Sequence, residues 1–407
     1  MTYNRKDETI KVLVVSHMYP STFDGNYGLF VHQQLKALTE QGVNVRVVSP
    51  IPRTPFPLKW LKSKWKRYSR VPGRTEREGI EVFHPRYLEF PKNVLLNSSG
   101  RRMFEGIRDT VERIHDGFIF DIIHSHVALP DGYCGMKLAL RYEKPLIVTV
   151  HGQDFQHTIF RDNKCRETIK KVVQSSVKTI VVSRKLRDIG ETELNINSDK
   201  FSIISNGIDP EIIFTGKSET ARKFSGRKVL LSVSHLIETK GIDLNINAVA
   251  RLRKKFPDII YLIIGEGQER DRLKKQVRDL HLRKYVEFLG AIPHRKVMEY
   301  MSFCNVFTLP SWKEGLGVVY LEAMAHGIPA IACRGEGIDG IIKDRKTGML
   351  VEPRNVDSLT DAVDFVLSNP ENAGEIGKKA KQMVIDDYTW AVSAQRLKKA
   401  YTEVLKT

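Results

Sequence analysis

The chain has 407 residues, 41% of them apolar and 28% charged, with a formal net charge of +17. That length exceeds one ordinary core and suits two domains of the usual ~100–200 residues. The longest apolar runs, 12–15 and 259–264, are strand-length, which excludes a helix of the ~20 apolar residues a membrane span needs. The opening MTYNRKDETIKVLVVS has no sustained apolar region and no small-residue cleavage site, so a cytoplasmic chain without a signal peptide is expected. Cys134, Cys165, Cys304 and Cys333 are scattered, with no C-x-x-C and no Cys/His cluster, which points to reduced thiols rather than disulfides or structural zinc.

Apolar, β-branched runs alternate with helix-period stretches, the pattern of βαβ units and parallel sheets. KVLVVS (11–16) is the first strand. Its exit, SHMYPSTFDGNYGLF (16–30), carries Gly25 and Gly28 ahead of a helix. Gly28 suits a phosphate approaching the backbone at a helix N-terminus, or an ordinary turn; neither Walker A nor G-x-G-x-x-G is present. In the helix FVHQQLKALTEQG (30–42), Phe30, Leu35 and Leu38 share a face and Gly42 caps the end. VNVRVVS (43–49) is the next strand.

The stretch KWLKSKWKRYSRVPGR (59–74) holds seven basic residues and no acid, interleaved with Trp60, Trp65 and Tyr68. It suits a solvated loop or helix, or contact with an anionic membrane surface, and is assigned no catalytic part. DIIHSH (121–126) places His124 and His126 near a strand exit. Alternation along the strand is taken to set them on opposite faces, so a metal pair is not expected. His124 is read as structural and His126 as a candidate cleft residue. LIVTV (146–150) exits into His151-Gly152-Gln153-Asp154, which sets His151 where it can meet substrate. KTIVVS (178–183) follows, and the polar, glycine-bearing NGIDPEIIFTGKSETARKFSG (206–226) reads as a linker.

The series then repeats. KVLLSVS (228–234) exits into His235, Lys240 and Gly241; the Lys240 ammonium at a strand-to-helix junction is a candidate diphosphate partner. The helix NINAVARLRKKF (245–256) ends at Pro257. IIYLIIG (259–265) exits into Gly265-Glu266-Gly267, where a nucleotide can lie close to backbone. VEFLG (286–290), VFTLP (306–310) and AIAC (330–333) are the remaining strands. Within PSWKEGLGVVYLEAMAHGIPAIA (310–332) the strand exit opens a helix closed by Gly327 and Pro329. The glycines free the amides of Gly315, Leu316, Gly317 and Val318 for a diphosphate or a sugar hydroxyl. Glu314 would accept from sugar hydroxyls, and Glu322, about two turns in, from a ribose diol. A solvated role for Glu322 is disfavoured because Leu321, Ala323, Met324 and Ala325 crowd it and an unpaired carboxylate there is costly.

The expected fold is therefore α/β: two doubly wound parallel-sheet domains facing across a cleft, with the site at strand exits of both halves. These motifs together resemble the retaining glycosyltransferases of family 4, which have the GT-B fold of two Rossmann-like domains. The resemblance covers almost the whole chain, and its most specific element is E-x7-E, Glu314 to Glu322. The loop Gly25–Gly28, DIIHSH, HGQD (151–154), SNGID (205–209), Lys240-Gly241, GEG (265–267) and RKTGMLVEP (345–353) support it. DYTWAVSAQRLKKAYTEVL (387–405) looks like the family's closing helix, which crosses back to the first domain. The implied division is an acceptor-side domain of residues 1–205, with helix 388–407 crossing back, and a donor-binding domain of 206–387.

By the resemblance, Lys240 and its partner neutralise the donor diphosphate, Glu314 holds the transferred sugar, Glu322 the ribose, and His151 a sugar hydroxyl near the reacting carbon. The family commonly has arginine where His235 stands, and often a glutamate where this chain has Gly340. The reaction expected is retaining transfer from a UDP- or GDP-sugar to a glycan or lipid-linked acceptor in cell-envelope polysaccharide synthesis. No D-x-D occurs in the chain, so no metal and no cofactor is expected. Two other readings are a non-catalytic nucleotide-sugar or nucleic-acid-binding protein, suggested by the charge, and a dehydrogenase. The dispersed basic residues without a nucleic-acid motif count against the first, and the missing G-x-G-x-x-G against the second.

Overall fold

A computed structural model describes residues 9–406 apart from 23, 54–67, 91–93 and 217. The chain forms two compact units, Met1–Asn206 with Trp390–Thr407, and Gly207–Thr389. The stretch 207–226 is part of the second unit, with its own helix Glu219–Lys223.

In the first unit the strands are β1 (Lys11–Val15), β2 (Asn44–Val48), β3 (Ile51–Arg53), β4 (Arg74–Arg77), β5 (Ile80–Phe83), β6 (Arg86–Leu88), β7 (Ile122–His126), β8 (Leu146–Val150), β9 (Lys178–Val181) and β10 (Phe201–Ile203). Eight of them make one sheet in the order β10-β9-β8-β7-β1-β2-β5-β4. Among the described residues only β4 runs antiparallel to its neighbour in this sheet; β3 and β6 pair separately. Strands β7 and β8 are buried along their whole length, as central parallel strands covered on both faces must be. The helix Leu29–Glu40 packs Val31, Leu35 and Leu38 into this core, joined by Trp390, Leu397 and Tyr401 of the helix Trp390–Val404. Gly42, at φ 81, turns the chain out of the first of these helices.

The second unit contains β11 (Lys228–Val233), β12 (Ile259–Ile264), β13 (Val286–Gly290), β14 (Val306–Thr308), β15 (Ala330–Cys333) and β16 (Met349–Val351). They form one parallel sheet, β13-β12-β11-β14-β15-β16. Both sheets are doubly wound. From β1 the chain moves outward to β2 and later returns to lay β7 on the other side; from β11 it moves to β12 and returns with β14. Loops leaving β1 and β7, and those leaving β11 and β14, therefore diverge at the points where such sheets take ligands.

Among the described residues no helix is long and apolar enough to cross a membrane. Of the basic stretch 59–74, residues 59–67 lie outside the described ones, while 68–73 form a turn leading into β4.

Candidate active site

In the second unit, the exits of β11 and β14 are tied together. Trp312 donates its backbone N–H to Thr239 O at 3.0 Å. The Lys240 ammonium bonds the Glu314 carboxylate, each side chain being about one-sixth exposed (16% and 17%). A cation and a carboxylate held this way at a switch point are oriented before any ligand arrives, with enough exposure to exchange partners. Glu336, in the loop after β15, is buried and its carboxylate accepts the Glu314 backbone N–H at 2.7 Å. Glu336 opens the same EGIDGII stretch that contains Gly340, and was given no role from the sequence.

Gly317, at φ 78, caps the helix Val318–Ala325. A Cβ there would lie 2.7 Å from the buried Tyr320 ring, so the turn accepts glycine alone. Among the described residues the N–H groups of Gly315, Leu316, Gly317 and Val318 donate no hydrogen bond. Amides without a partner at a helix N-terminus are the kind of groups that can meet an anion.

Glu322 has a different partner from the Lys240–Glu314 pair. Its carboxylate meets His294 Nε2 at 2.8 Å, and this bond, against the opposing effect of burial, raises the His294 pKa above its ordinary value. Gly265 and Gly267 fit against the β11 exit: their missing Cβ atoms would strike Ser234 O at 1.8 Å and Leu236 O at 2.3 Å. The side chain of Glu266 turns to Arg270, 3.0 Å away. His235 is exposed, and its side chain has no partner among the described residues.

In the first unit Gly28, at φ 72, caps Leu29–Glu40, and a Cβ would fall 2.2 Å from Met18 O. Phe30, two residues on, packs on His151 with ring centroids 4.7 Å apart. His151 stacks on His126, Nε2 to Nδ1 at 3.0 Å. Burial pushes the His151 pKa down to about 3, so the ring is neutral at physiological pH. His151 Nδ1 and His126 Nε2 have no hydrogen-bond partner among the described residues. His124 lies between Tyr401 Oη at 2.6 Å and Thr149 Oγ1 at 2.7 Å, a structural position.

Two expectations about this strand are corrected. Residues two apart on a strand share a face, and the His124 and His126 rings indeed lie 4.5 Å apart. His126 is also completely buried, so it stands behind His151 rather than lining an open cleft.

Three more ionisable groups, His17, Asp131 and Asp154, were given no role from the sequence. His17, just past β1, directs Nδ1 at the fully buried Asp131 carboxylate, 2.8 Å from Oδ2. Asp154, in the HGQD motif, is buried and accepts from the backbone of Ala128 and Leu129 at 3.1 and 3.4 Å. Burial raises its pKa to about 7. No local signal marks His17; its partner arrives from 114 residues away.

Family comparisons agree with this architecture. The family model for glycosyl transferases group 1 matches residues 215–383, and that for Glycosyltransferase Family 4 matches 28–212. A Bacillus subtilis protein that carries the name of a teichuronic acid biosynthesis glycosyltransferase, TuaC, is 24% identical over 98% of this chain and 100% of its own. The fold matches sucrose-phosphate synthase from Thermosynechococcus elongatus, with a TM-score of 0.80, 21% identity, and coverage of 98% of this chain and 100% of that one. It also matches Anabaena HepE in complex with UDP and glucose, with a TM-score of 0.73, 17% identity, and coverage of 97% and 100%. Two matched models, one on each half, and full-length relatives lead to one conclusion: the chain belongs to the group 1, family 4-like glycosyltransferases of GT-B fold.

Proposed function

We propose that this enzyme transfers a sugar, with retention, from a UDP- or GDP-sugar bound by the second unit to a glycan or lipid-linked acceptor received by the first. The observation that carries this reading is the Lys240–Glu314 pair beside the unpartnered amides of residues 315–318. The amides and the Lys240 ammonium meet the diphosphate, and their electrostatic stabilisation grows as charge develops on the leaving phosphate. Glu314, released from Lys240 by that phosphate and held by Glu336, accepts from the transferred sugar. Glu322 takes the ribose diol. His151, neutral, is assigned to a sugar hydroxyl near the reacting carbon, a contact that requires its buried Nδ1 to be uncovered when substrate binds.

Amides and lysine supply the positive field here, so the transfer proceeds without a metal. HepE, crystallised with UDP and glucose, supports a uridine donor, and the teichuronic acid biosynthesis in the name of the TuaC relative supports a polysaccharide product. If the acceptor is lipid-linked, the basic residues 59–74 are the segment that would meet anionic lipid.

The test is a thermal-shift panel of UDP-, GDP- and ADP-sugars on the wild type, Lys240→Ala and Glu314→Ala. One nucleotide-sugar class should raise the wild-type melting temperature, as a ligand specific to the native state does. Each substitution should cut the affinity and lower turnover by about two orders of magnitude, the loss expected when one transition-state contact is removed. Unchanged turnover in either variant overturns the assigned roles. With the donor so identified, turnover should persist in excess EDTA; a loss rescued by Mg²⁺ contradicts metal independence.

A further inference from the structure

His17 and Asp131 leave β1 and β7, the two strands between which the first sheet reverses its order. They occupy in this unit the place that Lys240 and Glu314 occupy in the other. A buried carboxylate fixes the imidazole from one side: Asp131 takes Nδ1 at 2.8 and 3.0 Å and the His17 backbone N–H at 3.1 Å. The ring thus has one orientation, with Nε2 as its remaining hydrogen-bonding atom and no partner for it among the described residues.

His17 also lines a cavity of about 240 Å³, together with Ser21, Asp24, Tyr27 and Tyr68. The Tyr27 ring stands 6.4 Å from the His17 ring. This volume is below the ~300–1,000 Å³ of sites that take drug-sized ligands, and it suits one sugar ring. Among the described residues the wall is made of aromatic and hydroxyl-bearing side chains and the apolar Pro50, Ile51 and Pro52, with one carboxylate and no lysine or arginine. Tyrosine faces and hydroxyls match the CH faces and hydroxyls of a pyranose or cyclitol, whereas Asp24 disfavours a phosphate.

We propose that this cavity is an acceptor subsite for a single neutral sugar or polyol ring, in which His17 Nε2 hydrogen-bonds one acceptor hydroxyl and Asp131 positions the imidazole. Any charge on the acceptor then lies outside this cavity. The assignment rests on the reading of the first unit as the acceptor side, and its test is separable from donor binding.

Full-length protein labelled with ¹⁵N-histidine is titrated with methyl α-D-glucopyranoside, methyl α-D-mannopyranoside and myo-inositol, and in a separate arm with inorganic phosphate. The His17 ring signal is assigned by its loss in His17→Asn. At least one neutral ring should shift that signal saturably while phosphate leaves it in place. Tyr27→Ala should weaken the response about fivefold, as loss of one neutral contact does. His17→Asn should keep the wild-type thermal shift with nucleotide sugars. A His17 signal unmoved by all three neutral rings, or moved as strongly by phosphate, overturns the proposal. A wild-type protein that shows the sugar response but no thermal shift with any nucleotide sugar instead overturns the donor reading and leaves the subsite standing.

Discussion

Glu322 shares its carboxylate with His294, and under the proposed ribose role that sharing should make donor binding pH-dependent. The hydrogen bond to Glu322 raises the His294 pKa above 6.5. The attraction is therefore fully present below about pH 6.5 and fades as the pH rises through the higher folded-state value. A ribose diol that needs Glu322 competes with a cationic His294 in acid and with a weaker neutral one in base. Affinity for the preferred nucleotide sugar should accordingly rise between about pH 6 and pH 8, by about fivefold at most because His294 is half-exposed and screened. In His294→Gln that slope should vanish. The diphosphate's own titration is common to both proteins, so the difference between the two profiles isolates the histidine. Parallel profiles, measured by fluorescence or calorimetric titration, would remove Glu322 from the ribose role.

Helix caps and strand exits are where local pattern and remote packing divide the information. The turn before Val318–Ala325 was readable because a glycine between a strand and an apolar helix has few alternative uses. Gly317→Ala should lower stability by about 1–3 kcal/mol, since it forces a left-handed backbone and crowds the Tyr320 ring. It should also weaken nucleotide-sugar affinity by misaligning the amides at the helix start. Urea unfolding and thermal shift on one preparation test both effects; loss of stability with undiminished affinity would show that these amides do not bind the donor. The buried strands β1, β8, β11 and β12 were equally legible, being apolar runs rich in β-branched residues, and β7 was legible from its opening Asp-Ile-Ile. The hairpin β4–β5 and the edge strands β10 and β16 were not, because short strands such as RTER and FSI carry little apolar patterning. The site divides the same way. Lys240, Glu314 and Gly317 stand in one recognisable pattern, but Glu336, His294 and His17 acquire their partners through contacts 22, 28 and 114 residues away along the chain. A wrong face assignment for His124 and His126 also hid the histidine row behind His151.

At the scale of the whole molecule, the chain's last helix completes the first unit's core. Trp390, Leu397, Tyr401 and Val404 are buried among the residues of β1, β2, β7 and the helix Leu29–Glu40. Each apolar side chain buried this way contributes about 1.5–3 kcal/mol, so four of them approach the ~5–15 kcal/mol that holds a domain together. Polar contacts fix the register: Gln34 to Ser393 at 3.1 Å, Ser393 to Ser205 O at 2.8 Å and Lys398 to Gln41 O at 2.6 Å. Tyr401 meets His124, whose pKa burial has pushed down to about 3; without that phenol, a fully buried imidazole loses one of its two partners. A chain ending at residue 389 should therefore lose the first unit's cooperative structure while the second unit, to which this helix does not belong, keeps its own. Hydrogen exchange resolved by peptide should show β1, β2 and β7 unprotected in the truncated protein and β11, β12 and β14 protected as in the full chain. Tyr401→Phe should fall between, retaining the ring's burial but losing its hydrogen bond, at a cost of about 1–3 kcal/mol. Full protection of β1 and β7 after truncation would mean that the first core closes without its last helix, and the assignment of residues 390–407 to that core would be wrong.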